Sequence, residues 1–373
     1  MFESTSRRRF LGQGVLALGG SALLVPGRAY AAPATAGELT DKGVAFLKSR
    51  QEANGGWSTA RKEPGVTALA VTALLRAKRV TPGESSVTKG LAYLEQFLGP
   101  KGGVSEDRHG NYATSIALLA FQEANSNGRY DRIIKQGQAF LRGAQWDESE
   151  GKPRDNAYYG GAGYGGSNSR PDLSNTSFFA EALRETGLPA DDPALKKALV
   201  FVSRCQNLRS EFNDQPWAGK VDDGGFIYTA ANGGQSMADD PKLPDGGLRS
   251  YASMTYAGLK SMIHAGLTAE DPRVKAAFTY ISKHYTVDEN PGLGQKGLYY
   301  YYHTFAKALA MLGKPEIVDA QGTKHDWRAD LVSALAKRQN PDGSWVNPAD
   351  RFMEGDANLV TAYALLALSY TRS

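Results

Sequence analysis

Two side chains in the sequence, Asp172 and His303, are of the types that transfer protons in enzymes. Each stands near the start of an apolar helical segment, Asp172 in Asp172-Leu-Ser-Asn-Thr-Ser177 and His303 in Tyr302-His-Thr-Phe305. If these segments run side by side, both side chains face the same end of one cavity. Asp172 and His303 are therefore the candidate catalytic residues. The alternative for Asp172 is the capping of a helix N-terminus.

Polar and aromatic residues accompany them at the starts of similar segments and in long Gly- and Tyr-rich connectors, 158–166 and 224–247. Connectors of this length are often lids, and aromatic faces attract cationic groups. The pattern predicts a ligand cavity lined by Tyr158, Tyr164, Ser174, Asn175, Arg249, Tyr251, Tyr300 and Asp356. The alternative is that the tyrosines only pack the interior.

These segments belong to an internal repeat of six units. Each unit has an amphipathic helical segment, then a Gly-rich aromatic turn, then a more apolar helical segment. The apolar segments occupy 66–75, 112–121, 175–183, 251–259, 299–309 and 359–368. A helix that is apolar nearly all round is covered on every face, whereas an amphipathic helix has one exposed side.

Two kinds of helix predict two layers, with the polar-faced helices outside. Closing six hairpins into a ring buries the inner helices and leaves no open ends to cap. We therefore predict an all-α protein in which residues 32–373 form one α/α toroid of about six helical hairpins. An open superhelix is the alternative.

The turns of the first and last units share a pattern, in Gln51-Glu-Ala-Asn-Gly-Gly-Trp57 and Gln339-Asn-Pro-Asp-Gly-Ser-Trp345. The glycines, Gly56 and Gly343 among them, allow backbone angles that other residues avoid. We expect the glutamines to bond backbone groups at the outer helix ends. Trp57 and Trp345 are expected to cover the joints between hairpins, so these residues have a structural role.

The two turns resemble the Q-x-x-x-G-x-W motif of the squalene and hopene cyclases, and the related protein prenyltransferase β-subunits repeat a similar turn. The resemblance covers the whole chain after residue 31. It implies an α/α toroid with a central apolar cavity, and isoprenoid ligands.

The residues that carry the chemistry of that family are only partly present. The cyclases protonate an alkene or epoxide with the middle Asp of a D-x-D-D-T-A motif, and the best match here is Asp172-Leu-Ser-Asn-Thr-Ser177. Asp172 and Thr176 match, but Ser174 and Asn175 replace the two central acids. The prenyltransferases bind zinc, and His303 resembles their Y-H-T ligand. Gly247 or Tyr251 stands where their Cys ligand lies, so we predict no metal and no cofactor.

The N-terminus predicts export. Ser6-Arg7-Arg8-Arg9-Phe10-Leu11 resembles a twin-arginine signal, and an apolar run to Val25 and an Ala29-Tyr30-Ala31 cleavage site follow it. Residues 1–31 are therefore expected to be a cleaved signal peptide, and the protein to be periplasmic or secreted. The apolar run is shorter than the roughly 20 residues that a spanning helix needs. No later segment is long and apolar enough to span a membrane.

Charge gives no support for a nucleic-acid partner. The full chain has a net charge of +4, which falls to near +1 without residues 1–31, and no basic stripe is evident. The leading hypothesis is an exported toroid that binds an isoprenoid or other apolar ligand or lipid, with or without transforming it. The alternatives are a non-catalytic binding or scaffold toroid, and an exported carbohydrate-active enzyme, a lyase or glycosidase. The sequence leaves open whether the protein is an enzyme.

Overall fold

Twelve α-helices form in the part of the chain that the computed structural model describes, residues 34–61, 63–106, 109–165 and 169–372. The predicted signal peptide lies outside these residues. The helices are α1 Ala36–Arg50, α2 Gly65–Arg76, α3 Ser85–Glu95, α4 Gly110–Ala124, α5 Asp131–Gly143, α6 Leu173–Glu185, α7 Pro193–Arg204, α8 Ala252–His264, α9 Pro272–Lys283, α10 Leu298–Leu312, α11 Trp327–Ala336 and α12 Ala357–Ser369.

The even-numbered helices form a closed inner ring. Each packs against the next along the chain, from α2 through α4, α6, α8 and α10 to α12, and α12 packs against α2. The odd-numbered helices pack outside them, each against at least one neighbouring inner helix. The predicted α/α toroid is therefore confirmed, and the contact between α12 and α2 rules out the open superhelix.

The helix patterns explain the two layers. In the outer helix α5, Ile133, Ile134, Gly137 and Leu141 are buried on one side, whereas the inner helix α2 buries nearly every residue. A short antiparallel pair of strands, β1 Ile317–Val318 and β2 Lys324–His325, precedes α11 and was not expected. In the described part of the chain, no helix combines the length and apolar character that crossing a membrane requires.

Glutamine side chains link consecutive units. Gln51 Nε2 donates to the carbonyl oxygens of Gly55 in its own turn and of Ser86 in α3, each at 2.8 Å. Gln339 Nε2 donates to Gly343 O at 3.1 Å and to Leu39 O in α1 at 3.0 Å. The last unit is thereby bonded to the first. Two further glutamines make the same pair of bonds in other units, Gln145 and Gln206.

Each turn tryptophan packs into the next unit. The Trp57 and Trp345 indoles are fully buried, and their Nε1 atoms donate to Leu47 O and Leu335 O. A Cβ atom at Gly43 in α1 would lie 2.9 Å from Trp345 Cζ3, so the absence of a side chain there admits the ring. Trp345 therefore packs into the joint where the toroid closes.

The prediction that the turn glycines adopt unusual backbone angles is right for Gly343 and wrong for Gly56. Gly343 has φ +88°, and its counterpart is Gly55 with φ +89°, in the region that favours glycine. Gly56 does not have a positive φ. This position has no room for a side chain, because a Cβ atom there would lie 2.4 Å from Thr59 Cγ2.

A threonine near the start of the inner helix completes the repeat in five units. Its hydroxyl oxygen accepts a hydrogen bond from a backbone N–H of the preceding turn at 2.8–3.1 Å. The five are Thr67, Thr114, Thr176, Thr255 and Thr361. This role was not predicted, although the threonine recurs at equivalent positions of the units in the sequence.

Candidate functional site

A cavity of about 820 Å³ lies at the end of the toroid where the inner helices begin. All six inner helices contribute side chains from their first turns. One from each is Val66, Tyr112, Ser174, Met254, Tyr300 and Leu359. Because consecutive helices run in opposite directions, the six inner helices all run the same way, and their starts meet at the same end of the ring. The predicted common site for the helix starts therefore exists as a cavity.

Five aromatic side chains form one continuous part of its lining, which we call the aromatic wall. They are Tyr164, Tyr112, Phe178, Tyr300 and Tyr363. In that order, the centroid of each ring lies 5.8–6.2 Å from the centroid of the next, in tilted or edge-on contacts. Such contacts favour aromatic pairs beyond their burial. The wall presents a wide apolar surface to a ligand.

Five of the predicted ligand-cavity residues line the cavity: Tyr164, Ser174, Tyr251, Tyr300 and Asp356. Ser174 Oγ and Tyr300 OH lie 3.0 Å apart and hydrogen-bond to each other across the opening between α6 and α10. Asp356 caps the N-terminus of α12, where its side chain accepts from two backbone N–H groups.

The other three lie elsewhere. Tyr158 rests against Trp146, and its hydroxyl donates to Asn232 Oδ1 at 2.8 Å. Arg249 is about half exposed and pairs with Asp240 at 3.0 Å. Asn175 is buried behind the lining, where its amide donates to Asp172 at 2.7 Å. The connectors that carry Tyr158 and Arg249 thus turn those side chains away from the cavity.

Asp172 lies behind the lining and acts as the N-cap of α6. Its carboxylate accepts from Asn175 N at 2.9 Å. Its carboxyl group also lies close to the hydroxyl of Tyr228, whose ring lines the cavity. Burial raises the pKa of Asp172 to about 6, and the bonds from Asn175 and the nearby Tyr228 hydroxyl oppose this rise. Asp172 therefore caps α6 and is also linked to the cavity through Tyr228.

His303 lies one turn deeper in α10 than Tyr300. Its ring stacks on Tyr363 with centroids 5.7 Å apart, and its Nδ1 atom is buried without a hydrogen-bond partner in the described part of the chain. Burial lowers the pKa of His303 to about 3, so the ring is neutral at physiological pH. Asp172 and His303 therefore both lie behind the lining, and each contacts a tyrosine that faces the cavity.

The zinc ligands of the prenyltransferases have no counterpart around His303. Within residues 34–61, 63–106, 109–165 and 169–372, no three His, Cys, Asp or Glu side chains are placed to hold a metal ion. The residues around His303 therefore do not supply the ligands that a zinc centre of this kind needs.

Behind the wall lies a buried charge cluster, formed by Arg76, Glu181, Glu185, Lys260 and Lys307. Lys260 Nζ is 2.5 Å from Glu181 Oε2, and Lys307 bonds both glutamates. Burial alone would raise the pKa of Glu181, but Lys260 and Lys307 lower it well below its ordinary value. The Lys260 ammonium group also lies 5.4 Å from the Phe178 ring centroid. The cluster therefore backs the aromatic wall and lies toward the end of the ring where the inner helices end.

The burial of Asp172 leads to a testable pH dependence. Its pKa of about 6 lies above its ordinary value of 3.8, so the native state gains stability from protonation of Asp172. That gain is complete below about pH 4 and is lost as the pH rises through 6. Asp172→Asn keeps an oxygen for the cap but cannot ionise. Relative to the wild type, the variant should gain on the order of 3 kcal/mol between pH 4 and pH 7.

Urea unfolding of both proteins at several pH values measures this difference. The other titrating groups are common to both chains and cancel. A difference in unfolding free energy that does not change with pH would contradict the burial of an ionisable Asp172.

Several cavity residues were not predicted from the sequence, namely Tyr112, Phe178, Tyr228, Met237 and Tyr363. Two of these residues could have been predicted from helical spacing. Phe178 stands four residues after Ser174, and Tyr363 four residues after Leu359, so each shares a helix face with a first-turn residue. Tyr228 and Met237 come from a connector, and no periodicity indicates where they lie.

No protein family and no curated protein sequence matches this chain. Solved structures do. The type II terpene cyclase MstE from Scytonema, in complex with the substrate geranylgeranyl dihydroxybenzoate, matches with a TM-score of 0.55 at 15% identity, over 90% of this chain and 97% of that one. Candida albicans protein geranylgeranyltransferase-I, complexed with GGPP, matches with a TM-score of 0.55 at 16% identity, over 89% and 91%.

A family 76 glycoside hydrolase from a bovine Bacteroides thetaiotaomicron strain matches equally well in shape. Its TM-score is 0.55 at 12% identity, over 90% of this chain and 78% of that one. At these identities the likeness shows a shared α/α toroid fold. Proteins with different chemistry use this fold, so the cavity has to indicate the function.

Proposed function

We propose that this protein binds an isoprenoid or a similar apolar molecule in the cavity of its toroid. The aromatic wall carries the proposal, because five contacting rings from α4, α6, α10, α12 and the connector before α6 form one surface. Apolar side chains of Met237, Met254 and Leu293 extend it. A volume of about 820 Å³ lies within the usual range for small-molecule pockets.

Two of the structural neighbours support the ligand class. The terpene cyclase structure is a complex with geranylgeranyl dihydroxybenzoate, and the geranylgeranyltransferase structure is a complex with GGPP. We propose a ligand of comparable chain length here.

Any transformation of the ligand would involve Asp172 and His303 indirectly. Asp172 would act as a positioning residue through Tyr228, and His303 through Tyr363, since these tyrosines face the cavity. Ser174 stands at the position of the missing cyclase acid and hydrogen-bonds to Tyr300. A serine hydroxyl is too weak an acid to protonate an alkene, so binding without turnover is equally consistent with the proposal.

The alternative is a carbohydrate-active enzyme, because the family 76 glycoside hydrolase has the same fold. The described lining of the cavity supports it less well. Sugar sites commonly combine exposed aromatic platforms with many polar groups, whereas apolar surface predominates here. We therefore rank this alternative second.

The test of the proposed function is extraction of the purified protein with organic solvent, followed by mass spectrometry of the extract. We expect an isoprenoid or similar lipid in amounts approaching one per chain. A sample denatured and washed before extraction is the control for lipid that adheres nonspecifically. Extracts that contain no more lipid than this control, together with no binding of added isoprenoids, would refute the proposal.

We also propose that the protein is exported by the twin-arginine route, on the evidence of Arg7, Arg8 and the segment that follows them. Replacing both arginines by lysine keeps the charge but removes the paired guanidinium groups. The double variant should accumulate in the cell as unprocessed precursor, measurable by immunoblotting of cell fractions. Normal processing of this variant would contradict the proposed route.

A further inference from the structure

We infer that the bound isoprenoid has an uncharged oxygen atom, and that this atom accepts a hydrogen bond from the hydroxyl pair formed by Ser174 and Tyr300. The inference rests on the proposed function and specifies the polar group of the ligand. It separates the ligand from isoprenoid hydrocarbons, which have the same apolar surface but no acceptor, and from isoprenoid anions.

The hydroxyl pair lies on the surface of the cavity. Ser174 belongs to the first turn of α6 and Tyr300 to the first turn of α10, and both side chains line the cavity. Ser174 Oγ lies 3.0 Å from Tyr300 OH. Because α8 stands between α6 and α10 in the inner ring, the pair links two helices that are not neighbours. Its two oxygen atoms therefore hold each other at a defined place in the lining.

A count of donors and acceptors shows what the pair offers a ligand. Two hydroxyl groups carry two hydrogen atoms, and the bond between them uses one. Neither oxygen has a second hydrogen-bond partner in the part of the chain that the structure describes. One O–H group of the pair therefore has no acceptor among the described residues. A molecule in the cavity has to supply one.

The surroundings of the pair make a missing acceptor costly. The Tyr300 ring contacts the rings of Phe178 and Tyr363, whose centroids lie 6.2 and 6.0 Å from its own. Water can accept the bond before a ligand enters, but a ligand that fills the cavity displaces this water. A hydrocarbon would then leave the O–H group buried without a partner, which costs free energy. An oxygen atom of the ligand restores the bond.

The acceptor is expected to carry no negative charge. The buried carboxylate of Asp172 already caps the N-terminus of α6, where an anion would otherwise be stabilised. The described basic side chains of the lining, His109 and Arg351, each have a carboxylate within 4.0 Å. A buried anion requires a charged partner, whereas the hydroxyl pair offers one neutral donor. A carbonyl oxygen matches that donor.

Three probes with similar hydrocarbon chains test the inference: geranylgeranylacetone, the hydrocarbon in which a methylene group replaces its carbonyl group, and geranylgeranoic acid. Their dissociation constants are measured with the purified full chain by displacement of a dansyl-labelled isoprenoid. We expect the wild type to bind the ketone more tightly than the acid. We define the ketone preference as the dissociation constant of the hydrocarbon divided by that of the ketone.

Removing both hydroxyl groups should remove the contribution of the pair. In the double variant, Ser174→Ala with Tyr300→Phe, the ketone preference should fall about 10-fold, which corresponds to the loss of one hydrogen bond. Each single variant keeps one O–H group at the same place and should therefore keep most of the preference. A loss of packing would instead weaken the binding of all three probes.

Tyr158→Phe is the matched control, because it removes a tyrosine hydroxyl that lies away from the cavity. It should leave all three dissociation constants unchanged. Hydrocarbon binding by the double variant that is at least as tight as that of the wild type shows that the cavity is intact. A thermal midpoint close to the wild-type value shows independently that the variant is folded.

Three results would overturn the inference while leaving the proposed function intact. They are a ketone preference that survives in the double variant, a complete loss of this preference in either single variant, and acid binding as tight as ketone binding. If the wild type binds none of the three probes, the proposed function itself fails.

Discussion

Replacing Trp345 by alanine is expected to lower the free energy of unfolding by about 3–5 kcal/mol. The indole is fully buried, packs against Gly43 of α1, and donates from Nε1 to Leu335 O at 2.9 Å. Its removal leaves a cavity at the joint between the last and first units and leaves Leu335 O without this donor. Urea unfolding followed by circular dichroism measures the loss.

Trp146→Ala is the matched control. Trp146 belongs to the third unit, is half-buried, and donates from Nε1 to Ser169 O at 3.0 Å. Because less apolar surface leaves the interior, its loss of stability should be clearly smaller. Equal effects of the two substitutions would show that burial at the closing joint does not determine stability.

Glu181→Gln should be comparably destabilising, by about 3–5 kcal/mol. The glutamate is fully buried between Lys260 and Lys307, which are themselves 1% and 2% exposed. Glutamine keeps the shape of the side chain but removes the charge, so the buried Lys260 ammonium group loses its counter-ion and Lys307 keeps only Glu185. Removing one partner of a buried ion pair costs far more than the pair contributes when intact.

Two further variants separate charge from packing. Adding Lys260→Met to Glu181→Gln removes the cation that has lost its partner and should recover part of the lost stability. Glu270→Gln, in the exposed pair with Lys275, should leave the unfolding free energy nearly unchanged. An effect of Glu181→Gln no larger than that of Glu270→Gln would refute the structural importance of the charge cluster.

The fold could be predicted from the sequence because its signals are local and repeated. Helix patterns recur six times, and Gln51, Trp57, Gln339 and Trp345 mark equivalent turns at opposite ends of the chain. Ring closure follows from the need to bury helices that are apolar all round. The packing of α12 on α2 agrees with this reasoning.

The candidate site was predicted best where it depends on helix starts, although Tyr164 of the connector before α6 also lines the cavity as expected. Ser174, Tyr300 and Asp356 occupy first turns or caps and line the cavity. Tyr158 and Arg249 lie in connectors, where partners from other segments determine the orientation of the side chain. Hydrophobic periodicity carries no information about those partners.

The charge cluster was also missed, although the sequence contained a signal for it. Glu181, Lys260 and Lys307 each stand within a segment that is otherwise mostly apolar. A charge on a helix covered on every face requires a buried partner, because an isolated charge is not stable there. Matching these charges between inner helices would have indicated the cluster.

The bonds from Gln339 to α1 have a consequence for biosynthesis. The outer helix α1 packs against α12, and Gln339 bonds to Leu39 O across 300 residues of sequence. During translation, the first helix therefore leaves the ribosome long before its native partners are made. It has to be kept from aggregating until then, because exposed apolar surface associates readily with other chains. We expect the nascent chain to depend on chaperones until its last unit has been synthesised.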